Sequence, residues 1–297
     1  MEQAERVRRY TLNYLPGILY LIATPIGNLE DITLRALRIL RDEVTLVACE
    51  DTRQTQKLLH HFEIRKSAIA CHEHNEQARA REIVEILQRG DSVALLSDAG
   101  TPLISDPGYR VVVAVVAAGL TVVPLPGASA ALAALAASGL PTNEFRFIGF
   151  LPPKQIARRK MLASLAAETA TLICYESPHR ILETLQDMQA EMGSRPMVLA
   201  RELTKLHEEF LRGSAAEIYA ILSARDSVKG EITLVIGRAP VEISDADPLE
   251  EVTRLEAQGI ARMDAIKMAS KRLGLPKREV YRLAAGQGNN PAGKRHD

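Results

Sequence analysis

Apolar residues recur along the first half of this chain in short runs that alternate with amphipathic segments. The pattern predicts strands near 18–24, 44–49, 67–71, 93–97 and 120–124, and helices near 31–41, 52–61, 75–89, 106–118 and 128–138. In the first helix Ile32, Ala36 and Leu40 are four residues apart, which places them on one helix face. Asp31 and Asn75 are the predicted N-caps of the first and third helices. Such alternation predicts a mostly parallel sheet with helices on both faces.

The pattern breaks at Gly139, Pro141 and Asn143 and then resumes in a second unit. This unit has predicted strands near 145–150, 170–175, 196–201 and 230–236, and predicted helices near 154–166, 178–192 and 214–223. Residues 240–248 are acidic and bounded by prolines, so they are a predicted linker. Three short helices are predicted after it, near 248–258, 262–273 and 277–286.

These breaks predict four regions and an α/β fold class. The regions are a flexible leader at 1–16, an N-terminal α/β domain at 17–138, a C-terminal α/β domain at 144–240 and a basic helical extension at 248–286. Within the extension and the residues after it, ten Lys/Arg stand against six Asp/Glu, a net charge of +4. That balance fits a small module that contacts nucleic acid, and it equally fits a solvated helix face.

Composition limits the cellular setting more than the activity. Lys+Arg and Asp+Glu both number 37, so net charge favours neither a nucleic-acid nor a membrane partner. The three cysteines are far apart in the chain and show no zinc spacing, which favours a reducing cytoplasm. The apolar region from Val111 to Leu140 is divided by glycines and prolines into pieces too short to cross a bilayer. We therefore expect a cytoplasmic protein with no membrane partner.

The stretch VALLSDAGTPLISDPG at 93–108 is the most informative in the chain. A short strand ends there in a turn that holds Asp98 and Gly100, and related turns follow the strands at 19–28 and 122–130. Ligands of open α/β sheets bind at the carboxyl ends of the strands. The three turns together predict one site for a small uncharged or zwitterionic ligand. Asp106 is interpreted as the N-cap of the next helix, with Pro107 in its first turn.

Three familiar ligand motifs are absent or incomplete. The segment GNNPAGK at 288–294 has Arg295 in place of the Ser/Thr of a P-loop and follows no predicted strand. No GxGxxG follows the first strand, so a standard dinucleotide site is not expected. Cys71, His72, Glu73 and His74 are metal-ligand types, but their spacing suits one metal poorly. We expect no metal site.

Longer motifs follow one another in a specific order along the chain. They are TPIGNLEDIT, EDTRQT, HEHNE, SDAGTPLISDPG, PLPGASA, GFLP, YESPHR, ARELTK and GEITLVI. From about Leu19 to Arg282 this order resembles the ribosomal RNA small subunit methyltransferase I family, part of the tetrapyrrole-methylase-like superfamily of S-adenosylmethionine-dependent enzymes. The resemblance implies two α/β domains with the cofactor cleft between them, a short C-terminal helical extension and a homodimer.

The resemblance also implies a reaction and its participants. The family methylates the ribose 2′-hydroxyl of a cytidine in the decoding region of small-subunit ribosomal RNA. The substrate is the free RNA or the assembled small ribosomal subunit, and the cofactor is S-adenosyl-L-methionine. At the three turns and the domain junction, the candidate cofactor-binding residues are Pro25, Asp98, Gly100, Thr101, Ile104, Ala128, Ser129, Ala130, Phe150 and Leu151.

Two further groups of residues are candidates for catalysis and RNA contact. A base that removes the ribose proton would assist the reaction, and the sequence leaves Glu176, Lys205 and Glu231 open as candidates. The candidate RNA-binding residues are Arg53, Lys154, Arg158, Arg159, Arg180, Lys271, Arg272 and Lys277. Each cation has a structural alternative, in a helix cap, a salt bridge or a solvated face.

Two other functions stay open from the sequence. The first, within the superfamily, is a precorrin or diphthine-type methyltransferase. The basic tail and the EDTR and HEHNE segments disfavour this alternative. The second, from another functional class, is an RNA-binding ribosome assembly factor without catalytic activity. Binding of S-adenosylmethionine separates that factor from both kinds of enzyme.

Overall fold

The structure is a computed structural model that describes residues 15–240 and 246–285. The predicted leader lies outside these residues except for its last two positions. The middle of the predicted linker, at 241–245, and the GNNPAGK segment also lie outside the described residues.

The first sheet is wholly parallel, as the alternating pattern predicts. Its strands are β1 (Ile18–Ile22), β2 (Leu46–Cys49), β3 (Ser67–Ala70), β4 (Val93–Leu96) and β5 (Thr121–Leu125), in the order β3-β2-β4-β1-β5. Its helices are α1 (Leu34–Asp42), α2 (Thr52–His61), α3 (Glu76–Gln88), α4 (Tyr109–Ala117) and α5 (Ala130–Ser138). Leu19 and Tyr20 belong to separate core clusters on opposite faces of the sheet. Helices therefore cover both faces, and the mostly parallel sheet is confirmed.

The second sheet is mixed and contains a strand that the sequence pattern missed. Its strands are β6 (Phe145–Phe150), β7 (Thr171–Glu176), β8 (Met197–Arg201), β9 (Glu209–Gly213) and β10 (Ile232–Ile236), in the order β6-β7-β10-β8-β9. Strand β6 is parallel to β7, whereas β10 is antiparallel to both β7 and β8, and β9 is antiparallel to β8. Its helices are α6 (Gln155–Ser164), α7 (Ile181–Met192) and α8 (Ala215–Ser223).

Helix α5 joins the two sheets through an apolar core. Ala134 and Leu135 of this helix share a buried cluster with Ile173 of β7 and Val235 of β10. The cluster also contains Ile26, from the loop after β1. Burial of these side chains against one another holds the carboxyl ends of the first sheet beside the second sheet.

Two predicted N-caps, Asp31 and Asp106, are wrong, and a third, Asn75, is at the predicted position but makes no capping hydrogen bond. Asp31 ends a 3₁₀ helix, Leu29–Asp31, and Thr33 instead caps α1, with its hydroxyl oxygen 3.1 Å from the amide nitrogen of Ala36. Asn75 precedes α3, but its side chain accepts the amide of His72 and caps no helix amide. Asp106 lies three residues before α4, which begins after Gly108. For α1 and α4, the path of the preceding loop places Thr33 and Gly108 at the helix start instead of the predicted residues.

The start of α4 is capped from another helix. The carboxylate of Glu76, at the start of α3, accepts the amides of Gly108 at 2.9 Å and Arg110 at 2.7 Å. Gly108 has a φ of +124°, which only glycine adopts without strain. Glu76 is itself buried, and it accepts two amides of the helix terminus that have no partner within the helix.

The chain divides into two compact units between Arg238 and Ala239. The second unit has helices α9 (Pro248–Ala257), α10 (Arg262–Leu273) and α11 (Lys277–Ala285) around its own apolar core, which includes Val252, Ile266 and Val280. Both sheets lie in the first unit, so the boundaries 17–138 and 144–240 remain a prediction of two domains within it. Within 15–240 and 246–285, no helix combines the length and the apolar character that crossing a bilayer requires.

Candidate active site

A cleft of about 360 Å³ lies where the carboxyl ends of the first sheet meet the second sheet. The loop after β4 and the start of α5 form one wall. Phe150, Tyr175 and Glu176 at the ends of β6 and β7 form the other. Strand β10 contributes its beginning, because it runs antiparallel to β7 and Ile232 lies beside Glu176. A concave site of this size between two packed sheets is typical of small-molecule binding.

The three predicted turns are physically connected in this wall. Thr24 and Gly100 exchange two backbone hydrogen bonds, of 2.9 and 3.0 Å, which join the turn after β1 to the turn after β4. The hydroxyl of Thr101 then donates to the carbonyl of Ala128, at 3.1 Å, in the turn after β5. Gly100 has a φ of +86°, so its position in this arrangement favours glycine.

The cleft brings together most of the predicted cofactor-binding residues. Those that line it are Asp98, Gly100, Thr101, Ile104, Ser129, Ala130 and Phe150. Ala128 supports the wall through its carbonyl. The side chain of Leu151 is 1% exposed and packs in the core of the second sheet, so its predicted contact with the cofactor stays a prediction for its backbone. Pro25 lines a neighbouring cavity instead.

Asp106 lines the cleft, and the sequence interpretation of it as a helix cap is wrong. Burial, followed by the charges of Glu50 and Asp98 and a hydrogen bond with Glu50, raises the pKa of Asp106 from 3.8 to about 7. Burial and the charge of Asp98 also raise the pKa of Glu50. The order of elements carried a signal for this cluster, since Glu50 follows β2 and Asp98 follows the neighbouring β4.

Glu176 is poorly placed to act as the predicted base. Its carboxylate is buried and accepts hydrogen bonds from the amide of Ser177 at 2.6 Å, from Arg180 at 2.7 Å and from the hydroxyl of Thr184 at 2.7 Å. These three donors occupy lone pairs that would otherwise accept a hydrogen bond from a substrate hydroxyl. Arg180 is therefore an ion-pair partner in this structure, which is the structural alternative to its predicted RNA contact.

Lys205 is a cation rather than a base. Its ammonium lies 2.8 Å from the carboxylate of Glu202 and 3.1 Å from that of Glu231. Partial burial acts to lower the pKa of Lys205, but the hydrogen bonds to the two carboxylates outweigh it and raise the pKa above its ordinary value. These contacts stabilise the ammonium form, so the geometry disfavours Lys205 as the predicted proton acceptor. Glu231, by contrast, is largely exposed, and within residues 15–240 and 246–285 its carboxylate pairs only with this ammonium.

A second cavity of about 480 Å³ adjoins the first. Asp98, Ala99 and Glu231 line both cavities, so they form a shared wall. Another side is formed by helix α2, which contributes Gln54, Lys57 and other residues of one face. The predicted base candidate Glu231 thus lies between two cavities rather than inside one.

The predicted RNA-binding cations differ widely in exposure. Arg158 is fully buried beside Asp187, so its prediction as an RNA contact is wrong. Arg53 is 87% exposed and pairs with Asp51, which also caps α2. The others are placed as follows: Lys154 is exposed before α6, Arg159 pairs with Glu191, Arg272 pairs with Glu251, and Lys271 and Lys277 are exposed in the second unit. Among the described residues, no cluster of three or more His, Cys, Asp or Glu is arranged to hold a metal.

A protein-family model and known proteins that cover most of the chain both match this sequence. Residues 18–219 match the model of the Tetrapyrrole (Corrin/Porphyrin) Methylases. The chain is 47% identical over 275 residues to ribosomal RNA small subunit methyltransferase I of Halalkalibacterium halodurans, covering 90% of this chain and 94% of that protein. It is 46% identical over 275 residues to the protein of the same name from Escherichia coli O157:H7, covering 91% and 96%.

The chain belongs to the ribosomal RNA small subunit methyltransferase I family. Family membership makes it a methyltransferase. The fold is also that of a solved structure, uroporphyrin-III C-methyl transferase from Thermus thermophilus complexed with S-adenyl homocysteine. The TM-score is 0.51 at 18% identity, over 75% of this chain and 98% of that one. The three turns lie in the part of the chain that matches the methylase model, as does the cleft apart from its β10 side, Glu231 to Thr233.

Proposed function

We propose that this protein transfers a methyl group from S-adenosylmethionine to the ribose 2′-hydroxyl of a cytidine in the decoding region of small-subunit ribosomal RNA. The observation that carries this proposal is the similarity, over nine-tenths of the chain, to methyltransferases whose names specify that RNA. Solved structures of a cobalt precorrin-4 methyltransferase, a uroporphyrin-III C-methyltransferase and a diphthine synthase match at 20% identity or less over about three-quarters of the chain, and this likeness shows the fold alone.

The cleft residues fit S-adenosylmethionine in size and chemistry. Phe150 and Tyr175 lie with ring centroids 5.4 Å apart and offer an apolar surface for a planar base. The start of α5, at Ala130, has amides that suit a carboxylate. Asp98 offers a carboxylate oxygen for a ribose diol or a cationic group. When bound, the sulfonium supplies an electrophilic methyl group.

The protein must also align the acceptor and remove its proton. We place proton removal at Glu231, because its carboxylate lies on the wall between the two cavities and pairs with Lys205 alone among the residues that the structure describes. Lys205 holds that carboxylate from one side and leaves its other oxygen accessible. Positioning of the acceptor hydroxyl supplies much of the acceleration in such a displacement.

We further propose that the enzyme acts in the cytoplasm as a homodimer. Tyr109, Val113 and Val116 form an exposed apolar stripe on α4, spaced at i, i+4 and i+7. We assign this stripe to contact with a second copy of the chain, because an exposed apolar helix face is typical of an interface. We place the enzyme in the cytoplasm, where its three buried free cysteines remain reduced.

The reaction is tested by mapping ribose methylation on ribosomal RNA from cells with and without the gene. We expect one 2′-O-methylated cytidine to disappear from the small-subunit RNA and to return with the wild-type gene. Unchanged methylation overturns the proposed reaction, and failure of the purified protein to bind S-adenosylmethionine supports the non-catalytic assembly factor.

The assignment of Glu231 is tested separately in single-turnover assays. Loss of a positioned base lowers the chemical rate by roughly a hundredfold. We therefore expect Glu231→Gln to show such a loss with unchanged affinity for S-adenosylhomocysteine. The control is Glu85→Gln, which changes an exposed glutamate of α3. Equal rates for the two variants contradict the role of Glu231.

A further inference from the structure

Helix α2 has two exposed polar faces that meet different cavities. Gln54, Lys57 and His61 line the second cavity, which shares a wall with the cofactor cleft. Gln56 and His60 line a separate cavity of about 450 Å³ near the start of β3. The spacing 54, 57 and 61 is i, i+3 and i+7, which places these residues on one face of the helix. Only this face borders the proposed reaction site.

The two sides of the second cavity differ in chemistry. The α2 side presents hydrogen-bond donors: the ammonium of Lys57, the ring of His61 and the amide nitrogen of Gln54. Lys57 donates to the amide oxygen of Gln54 at 3.2 Å, and this bond orients the amide so that its nitrogen remains available. The shared wall presents the carboxylates of Asp98 and Glu231.

This separation matches the chemistry of one nucleotide. A pyrimidine base and its phosphate present acceptor oxygens and a ring nitrogen, which pair with donors. A ribose presents hydroxyl donors, which pair with carboxylates. A nucleotide in this cavity therefore has its base and phosphate beside α2 and its ribose beside the shared wall. Arg53, next to this face and 87% exposed, adds positive charge for a neighbouring phosphate.

We propose that the second cavity binds the acceptor nucleotide of the RNA, unstacked from its neighbours, with Gln54, Lys57 and His61 of α2 as its recognition surface. This inference rests on the proposed function and adds the place and the side chains through which the substrate is bound. Extraction of a nucleotide from its stack into a pocket is the general means by which enzymes reach an atom otherwise shielded by neighbours.

Matched substitutions on the two faces of α2 test the proposal. Gln54→Ala and His61→Ala change the cavity face, and Gln56→Ala and His60→Ala change the same residue types on the other face. All four side chains are exposed, so the fold is expected to tolerate each change. Methyl transfer is measured with small ribosomal subunits from cells that lack the gene, and S-adenosylhomocysteine affinity is measured by calorimetry.

We expect the cavity-face variants to raise the KM for the subunit by about tenfold each, and the other two to leave it unchanged. All four retain wild-type affinity for S-adenosylhomocysteine. If wild-type protein methylates the subunits and the two pairs of variants behave alike, the binding surface is wrong while the proposed function stands. If wild-type protein transfers no methyl group to small-subunit RNA, the proposed function fails and this inference fails with it.

Discussion

The guanidinium of Arg158 is fully buried, with its Nε 2.8 Å from the carboxylate of Asp187. Glu183 approaches the same guanidinium at 3.4 Å, and the amide of Gln155 donates to the other oxygen of Asp187 at 3.2 Å. These contacts join the first turns of α6 to the middle of α7. The basic residues that follow the GFLP motif thus divide into a buried cation, Arg158, and exposed ones such as Lys154 and Arg159.

The buried pair allows a direct prediction about stability. Asp187→Ala leaves the charge of Arg158 buried with two long contacts, to Glu183 and to the carbonyl of Pro153, each of 3.4 Å. Breaking a buried pair in this way typically costs about 3–5 kcal/mol. The matched control is Glu191→Ala, which breaks the exposed pair between Arg159 and Glu191 on the same two helices. Exposed pairs contribute about 1 kcal/mol or less. Urea denaturation measures both free energies of unfolding, and equal losses contradict the prediction.

Cofactor binding is expected to depend on the start of α5. Ala130 lines the cleft, so Ala130→Leu fills space that the cofactor needs. We expect its affinity for S-adenosylhomocysteine to fall by at least about tenfold, the effect of roughly 1.4 kcal/mol. Ala136→Leu places the same side chain at an exposed position of the same helix and serves as the control. Calorimetric titration distinguishes them, and unchanged affinity in the first variant overturns the placement.

Asp106 gives the protein a predicted dependence of stability on pH. Its pKa rises from 3.8 to about 7 on folding, chiefly through burial and through the charges of Glu50 and Asp98. The folded state therefore binds a proton more tightly than the unfolded chain, and the stabilisation from that proton is lost as pH rises from about 4 towards 7. Tyr175, whose pKa is raised by burial and by the charge of Asp106, faces the same cleft.

Asp106→Asn removes this titration. We expect the variant to gain stability relative to wild type between pH 5 and pH 8, without cofactor, as measured by urea denaturation at both values. Glu85→Gln, which changes an exposed carboxylate, should follow the wild-type curve. Parallel pH profiles for wild type and Asp106→Asn would show that burial of this carboxyl has no effect on its ionisation.

The C-terminal unit is expected to contribute to RNA binding. Lys271 and Lys277 are exposed there, whereas Arg272 is held by Glu251 at 2.8 Å. Truncation after Arg238, at the division between the units, should weaken RNA binding and reduce its dependence on salt, because fewer counterions are released. Cofactor affinity should not change, since the cleft lies wholly in the first unit. A truncated protein with the full salt dependence contradicts this role.

The sequence predicted most elements well but could not predict which charges they bury. Apolar periodicity is a property of neighbouring residues, and it identified the parallel sheet within one or two residues at most strand ends. Strand β9, with the sequence EFLRG, is short and carries two charges, so it gave no such signal. Arg158 lies four residues before the buried Leu162, a spacing that indicated its helix face, but the basic run around it hid this.

The candidate site shows the same limit. The turns after β1, β4 and β5 were predictable, because parallel strands bring their carboxyl ends to one edge. The roles of the charged groups were not, since they depend on partners from distant parts of the chain. Lys205 is a cation because of Glu202 and Glu231, and Glu176 is occupied because of Arg180 and Thr184. Burial raises the pKa of Asp106 to about 7, and the charges of Glu50 and Asp98 add to this effect.

Strand β9 ends the second sheet, and its charges affect more than the fold. Glu209 on this strand is held by Arg201 at 3.0 Å and by Arg225 at 2.6 Å, and Arg212 reaches the carbonyl of Ala137 at 2.7 Å. An open sheet edge can recruit a strand from another molecule, which begins aggregation. A foreign strand that approached β9 would have to displace these ion pairs and desolvate their charges. The same side chains that concealed β9 in the sequence thus protect the protein from edge-to-edge aggregation at high concentration.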